Sequence, residues 1–364
     1  MNFNNPPFRT RRDIAGLRVT IMGLGLNGGG LATARFFAAN GAEVTITDKK
    51  SADELAPSIA ALADFPSIRY VLGTHELADF SGADTVIKNP GVKLEGNPYL
   101  QAARSIETDV SVFLRFTKAP VLAVTGSKGK SSTVSALHFA LRETGYRSFL
   151  GGNITVSPLT FLDETSESTP VVLELSSWQL ADLRGRGILK PRVAVITPVM
   201  SDHQNWYGGM EPYVADKKLI YADQDETCHL LCNRDDEWGP VFARETRAQV
   251  HWYSSSPLPP SLAGAWLEAD GRGLMRLPAG AQASFTITGD KAGAQASSAV
   301  AGSNLGPQAS SPFTGSNPGP QASPSAIEIL PSRLAVPGSH MRQNLLNAAQ
   351  ALVLFGADPA AVAG

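Results

Sequence analysis

Apolar positions at the start of the chain fall into short β-branched runs separated by one helically spaced stretch. "LRVTIMG" (17–23) reads as a buried strand and "LGLNGGG" (24–30) as a glycine-rich turn. "LATARFFAANG" (31–41) has helical spacing ending at Gly41, and "AEVTITD" (42–48) is a second strand closing on an acid. That order opens a doubly wound α/β sheet, in which ligands sit at the carboxyl ends of the strands. A later strand, Ala83 to Ile87, runs into a turn at Pro90 and Gly91.

A second α/β unit opens near Lys118. "APVLAVTG" (119–126) is a strand, and "SSTVSALHFALRETG" (131–145) is a helix that Gly145 can end. "PVVLEL" (170–175) and "PRVAVIT" (191–197) are further core strands, so a second parallel sheet is expected. "CHLLC" (228–232) also alternates as a buried strand. Its two cysteines and His229 fall short of the four ligands of a structural zinc, and they read as reduced core residues.

From 280 onward the pattern changes to a thirteen-residue repeat: "GAQASFTITGDKA", "GAQASSAVAGSNL" and "GPQASSPFTGSNP" follow in register. Only the first copy keeps a strand-like "SFTIT"; the later copies replace it with Ala, Ser, Pro and Gly, which have little to bury. Residues 289–326 are therefore expected to be a flexible surface insert with no catalytic part.

Composition changes this picture little. The chain has 364 residues and a formal charge of −2, enough for two domains and without a broad field favouring nucleic acid or anionic membrane. No apolar run of spanning length occurs, and "MNFNNPPFRTRRD" has no apolar core behind its basic residues, so a cytoplasmic protein is expected.

The chemistry lies in the loops after the second unit's strands. "VTGSKGKSST" (124–133) sits between a strand and a helix, where backbone N–H groups and the helix N-terminus can surround an anion. Gly126 and Gly129 allow close approach, Lys130 can reach the outer phosphates, and Ser131 can ligate Mg²⁺. Val124 stands where an ordinary P-loop has its first glycine, which argues against an ordinary P-loop NTPase. Glu174 ends a buried strand, where a lone carboxylate is costly unless a cation accompanies it. Asp202 and His203 follow another strand; His203 is a candidate metal ligand or orienting group. In "YVADKKLIY" two adjacent lysines, Lys217 and Lys218, read as a solvated helix face. These residues indicate an ATP–Mg²⁺ site around Ser131, Glu174 and His203, and leave the second substrate open.

Taken together, "GSKGKSS", "ELSSWQL", "DHQNWY", "YVADKK" and "CNRDDE" resemble the Mur ligase family in order and spacing over nearly the whole chain except the repeats. The resemblance implies a Rossmann-like UDP-binding domain over 1–117 and an ATP-binding central domain over 118–364. The family's third domain is expected to be absent from this chain, and ligase turnover with it. It further implies ATP-dependent addition of D-glutamate to UDP-N-acetylmuramoyl-L-alanine through an acyl phosphate in peptidoglycan precursor synthesis, by a monomer that needs neither nucleic acid nor membrane.

The same resemblance implies the site residues. Gly126, Ser127, Lys128, Gly129, Lys130, Ser131, Ser132 and Asn344 would bind ATP. Ser131 and Glu174 would hold one Mg²⁺; His203 and a carbamylated Lys217 would hold a second, with Lys218 the adjacent rival. Lys130, His203 and Lys217 would be catalytic. Leu26, Asn27, Asp48, Lys49, Asn89, Pro90 and Gly91 would take the uridine diphosphate, and Asn153, Ser176 and Gln179 the muramoyl-alanine. Met341 stands where the family has an adenine-side Asn, Pro198 where Asn follows Thr197, and Lys128 where Asn is common.

Three other readings compete. "GLGLNG" with Asp48 suggests an NAD-dependent oxidoreductase but leaves the second phosphate loop unexplained. Folylpolyglutamate synthase shares that loop, yet here Ser131 follows Lys130 directly. A non-catalytic UDP-sugar-binding protein does not account for the retained Glu174, His203 and Lys217. Deleting residues 293–318 should leave the melting temperature nearly unchanged; a large drop in thermal denaturation would show that the repeats are part of the core.

Overall fold

A computed structural model describes residues 6–278, 326–334 and 338–364. The repeats and the expected "SFTIT" strand lie outside these, apart from Ala326.

The first domain is a five-stranded sheet built from β1 (Arg18–Met22), β2 (Glu43–Asp48), β3 (Arg69–Leu72), β4 (Thr85–Lys88) and β5 (Ile106–Glu107). All neighbours are parallel, in the order β3-β2-β1-β4-β5. Four of the five residues of β1 and all of β4 are buried, as expected of a parallel sheet covered on both faces. Val19, Ile21, Val44 and Ile46 pack under Ala34 and Phe37 of the helix Gly29–Ala39. The chain leaves β1 toward β2 and later returns to β4 on its other side. The switch point therefore lies between β1 and β4, beside the glycine loop and the Asn89–Gly91 turn.

The second domain has nine strands: β6 (Val121–Thr125), β7 (Phe149–Gly152), β8 (Val171–Glu174), β9 (Val193–Ile196), β10 (His229–Asn233), β11 (Gln249–Ser254), β12 (Gly264–Leu267), β13 (Gly273–Arg276) and β14 (Ile327–Leu330). Their order is β14-β13-β12-β11-β10-β9-β6-β8-β7, which puts a second switch point between β6 and β9. The expected all-parallel sheet holds from β7 to β12 and fails beyond it, because β12, β13 and β14 pair antiparallel. For β12 and β13 the cause is a tight turn: Glu268 N–H donates to the Arg272 carbonyl at 2.8 Å, and Gly271 takes φ 87°. So short a connection cannot carry the crossover that a parallel pair needs.

The helix Lys130–Glu143 starts at Gly129, which is left-handed at φ 92°, and ends before Gly145 at φ 89°. Its buried Val134, Leu137 and Leu141 pack with Val124, Val172 and Val195 of the sheet and with Leu346 and Leu352 of the helix Ser339–Phe355. The two helices run side by side in the same direction, Gly129 abutting Asn344 at one end and Tyr146 meeting Phe355 at the other. Among the described residues no helix is long and apolar enough to cross a membrane.

Both cysteines are free and buried, and burial pushes the Cys232 thiol up to about 12. His229, instead of facing Cys228 in a metal site, has Nδ1 3.0 Å from Nε2 of His251 on the adjacent strand. Burial drives His229 down to about 4 and His251 down to about 3 from an ordinary 6.5. A histidine lowered on folding stays neutral in the native state and takes up a proton on unfolding, so its contribution is present above pH 6.5 and is lost as pH falls. The melting temperature should therefore decline as pH drops from neutrality toward the histidines' folded values. His251→Phe should shrink that decline; an unchanged pH profile in the variant would rule the pair out as its source.

Candidate functional site

The parallel register brings the candidate residues of the second domain to one edge. Val124 on β6 pairs with Glu174 on β8, Glu174 pairs with Gly152 on β7, and Thr125 pairs with Ile196 on β9. The phosphate loop, Asn153, Glu174 and the 197–203 segment thus all leave the carboxyl ends of adjacent strands.

The loop itself is pressed onto its neighbours. A Cβ on Gly126 would lie 2.0 Å from Thr197 Oγ1, and one on Gly129 would lie 2.4 Å from Asn344 Oδ1, so only glycine fits at either point. The second contact brings Asn344, from the far end of the chain, against the loop. Ser127 is committed to this packing: its N–H donates to the Pro198 carbonyl at 3.0 Å, and its Oγ donates to the Met200 carbonyl at 2.9 Å. Lys128 and Ser131 are exposed and Ser132 is half-buried.

Two ammonium groups converge on one peptide oxygen. Lys130 Nζ donates to the carbonyls of Gly126 and Ser127, each at 3.0 Å, and Lys217 Nζ donates to Gly126 at 2.8 Å. Lys217 is 1 % exposed and its Nζ lies 4.2 Å from the Tyr213 ring centre. Burial, with Lys130 adding repulsion, pushes its ammonium down to about 7; burial also lowers Lys130. The reading of a solvated lysine pair is corrected here. Only Lys218 turns outward, to Glu245 at 2.8 Å, because the helix Met210–Lys217 gives way to a 3₁₀ turn at that point.

Glu174 is 1 % exposed. Its Oε1 accepts from Asn153 Nδ2 at 2.8 Å, while its buried Oε2 has no hydrogen-bond partner. An unpaired carboxylate oxygen beside a phosphate loop suits a hard cation. His203 sits at φ 51° with its ring 5.0 Å from that of Trp178; its backbone N–H donates to Asp202 Oδ1 at 2.9 Å. No group of three or more His, Cys, Asp or Glu able to hold a metal occurs among the described residues. A hydroxyl, a modified lysine or the nucleotide's own oxygens would have to complete the coordination of a cation here.

Ser176 and Gln179 form a capping box at the start of the helix Ser177–Asp182. Ser176 Oγ accepts from Gln179 N–H at 3.2 Å, and Gln179 Oε1 accepts from Ser176 N–H at 3.0 Å. Both side chains thus fix the turn directly after Glu174.

In the first domain Leu26, Asn27 and Lys49 are exposed beside the glycine loop. Asp48 accepts from Gly25 N–H at 3.1 Å and from Lys50 N–H at 3.0 Å, so each of its oxygens already braces backbone. Asn89 Oδ1 accepts from Gly91 N–H at 3.0 Å and shapes the turn around Pro90. A Cβ on Gly28 would lie 3.8 Å from the Thr155 carbonyl, so the glycine loop faces the Asn153–Thr155 loop across the gap between domains. A cavity of ≈ 690 Å³ opens at the opposite edge of the first sheet among Arg18, Glu43, Arg69 and Asp79, and none of the candidate site residues lines it.

The sequence reading missed Tyr213 and Thr197. The Tyr213 hydroxyl lies 3.0 Å from Ser127 Oγ, and Thr197 is the residue Gly126 is pressed against. For Tyr213 the available signal was an aromatic one helical turn before Lys217.

Residues 17–112 match the Mur ligase MurD-like N-terminal domain and residues 124–265 the Mur ligase middle domain. The chain is 54 % identical over 264 residues to UDP-N-acetylmuramoylalanine–D-glutamate ligase of Treponema pallidum, covering 68 % of this chain and 50 % of that protein. The enzyme of the same name from Borreliella burgdorferi (strain ZS7) is 53 % identical over 233 residues, covering 64 % and 50 %. The chain thus spans about half the length of the curated relatives it matches. The crystal structure of UDP-N-acetylmuramate:L-alanyl-gamma-D-glutamyl-meso-diaminopimelate ligase from Neisseria meningitides shares the fold. Its TM-score is 0.50 at 20 % identity, over 72 % of this chain and 85 % of that one. Two successive domain matches, in the order the two sheets follow, join with these identities to one conclusion: the chain belongs to the Mur ligase family.

Proposed function

We propose that this chain carries the UDP-substrate and ATP sites of an ATP-dependent, ADP-forming ligase that joins D-glutamate to UDP-N-acetylmuramoyl-L-alanine for peptidoglycan. The observation that carries the reading is the buried, unpartnered Glu174 Oε2 at the strand end beside the phosphate loop. The names of the relatives from Treponema pallidum and Borreliella burgdorferi support the choice of substrates.

In this reading Gly126, Lys128, Gly129, Ser131 and Ser132 present the loop to the ATP phosphates, Ser127 holds it in shape, and Asn344 stands on the adenine side. Lys130 leaves the Gly126 carbonyl for the β- and γ-phosphates. Leu26, Asn27, Asp48, Lys49, Asn89, Pro90 and Gly91 form the uridine-diphosphate crevice, and Asn153, Ser176 and Gln179 frame the muramoyl-alanine end. The alanyl carboxylate then attacks the γ-phosphorus in line, expelling ADP and leaving an acyl phosphate. The amine of D-glutamate adds to that carbonyl, loses a proton, and phosphate departs as the amide forms.

Ser131 and Glu174 would hold one Mg²⁺, and His203 with Lys217 a second. When bound, Mg²⁺ neutralises charge between the two anionic reactants. A buried amine lowered to about 7 is unprotonated for a substantial fraction at neutral pH, which suits condensation of Lys217 with CO₂ to a carbamate: a C–N bond forms and the nitrogen releases a proton. That change would turn an ammonium bound to Gly126 into an anion facing the metal.

UDP-N-acetylmuramoyl-L-alanine and ATP with Mg²⁺ should each raise the melting temperature of this chain, and NAD should not. Stabilisation by NAD alone would sink the reading. Lys130→Ala should weaken ATP binding by at least about tenfold in titration calorimetry, since it removes a charge-assisted contact to phosphate. Glu174→Gln should abolish the dependence of ATP affinity on Mg²⁺; a variant that still responds to chelation like the parent would remove Glu174 from the metal site.

A further inference from the structure

Lys88 closes β4 immediately before the Asn89–Gly91 turn, and it is only 4 % exposed. Its Nζ lies 2.7 Å from Asp182 Oδ2 and 3.4 Å from the Asn89 carbonyl. Asp182 ends the helix whose first turn is the Ser176–Gln179 cap, two residues beyond Glu174. A single buried ion pair therefore joins the uridine-side turn of one domain to the muramoyl-side helix of the other. Lys88 lines two cavities, the small one with Gly29, Asn89 and Asp109, and one of ≈ 430 Å³ between domains with Trp178, Trp206 and Asp216.

Such a pair is an expensive way to stabilise a fold, because desolvating two charges offsets most of their attraction. Burial raises Asp182 to about 6 even with Lys88 beside it. Docking of the domains does not require it. Arg186, four residues on, donates from Nη1 to the fully buried Glu107 of β5 at 2.8 Å and from Nη2 to the Ile106 carbonyl at 2.7 Å. What Lys88–Asp182 adds to that anchor is a direct link between the two substrate-facing turns.

We propose that Lys88 and Asp182 are positioning residues that hold the Asn89–Gly91 turn and the Ser176–Gln179 cap in fixed relation, so that a ligand with a nucleotide head in one domain and an acyl tail in the other is gripped at both ends. The assignment rests on the UDP-substrate reading above and concerns recognition of a ligand that spans the gap. The Asn89 turn keeps its own side-chain hydrogen bond and the phosphate loop lies elsewhere, so the separate ligands should be indifferent to the link.

The test is titration calorimetry of UDP, ATP with Mg²⁺, and UDP-N-acetylmuramoyl-L-alanine on the parent chain, on Lys88→Met, and on Lys88→Met/Asp182→Leu, which packs apolar groups in place of the pair. Both variants should bind UDP and ATP as the parent does and lose about tenfold on the complete substrate, the size of a positioning defect. If only one variant folds, it serves alone. Unchanged affinity for the complete substrate, or an equal loss on UDP alone, would overturn the assignment. A parent chain that fails to bind the complete substrate would overturn the functional reading first, and this assignment with it.

Discussion

The second domain is organised around the carbonyl of Gly126, which accepts from Lys130 and Lys217 at once. Two cations can share one peptide oxygen only where the backbone comes close enough, and that requires Gly126 to sit where any side chain would collide with Thr197. The loop's position against β9 therefore depends on a missing Cβ. The lowered proton affinity of Lys217 depends in turn on the loop, since burial beneath it and repulsion from Lys130 are the causes. Ser127, Tyr213 and Met200 complete the arrangement by turning the loop's own polar groups inward.

Beside shared apolar packing such as Phe113 on Phe161, the two domains meet through charged contacts, several of them between residues at strand or helix ends. Glu107 ends β5, Lys88 ends β4, and Asp182 and Arg186 flank the end of one short helix. The parallel topology makes this natural. Carboxyl ends of strands gather at one edge, and loops from both sheets meet there. The proposed ligand sites and these domain contacts thus lie next to one another, so a change in the angle between domains would alter both.

Much of the fold was legible in the chain. The alternation of β-branched runs with helical stretches located β1, β2, β4, β6, β8, β9 and β10, and glycines marked both ligand loops. The antiparallel β12–β14 end was not legible, because a four-residue strand next to a tight turn has no periodicity that tells its direction. The adjacent lysines misled for a related reason. Charge alone reads Lys217 and Lys218 as one solvated face, and only the packing of the helix against the loop tells which of them meets protein.

The sequence by itself determined local chemistry: a strand–glycine loop–helix that suits phosphate, an acid closing a buried strand, and the order of motifs that identifies the family. Those properties depend on residues a few positions apart, so they survive without knowledge of the rest. Tertiary structure alone decided that Glu174 lies beside Val124, that Asn344 touches Gly129, that Asp48 braces the Gly25 N–H, and that Lys88 reaches Asp182. Each of these joins positions more than twenty residues apart. Strand order and the packing of one domain on the other set such distances, and no local pattern encodes them.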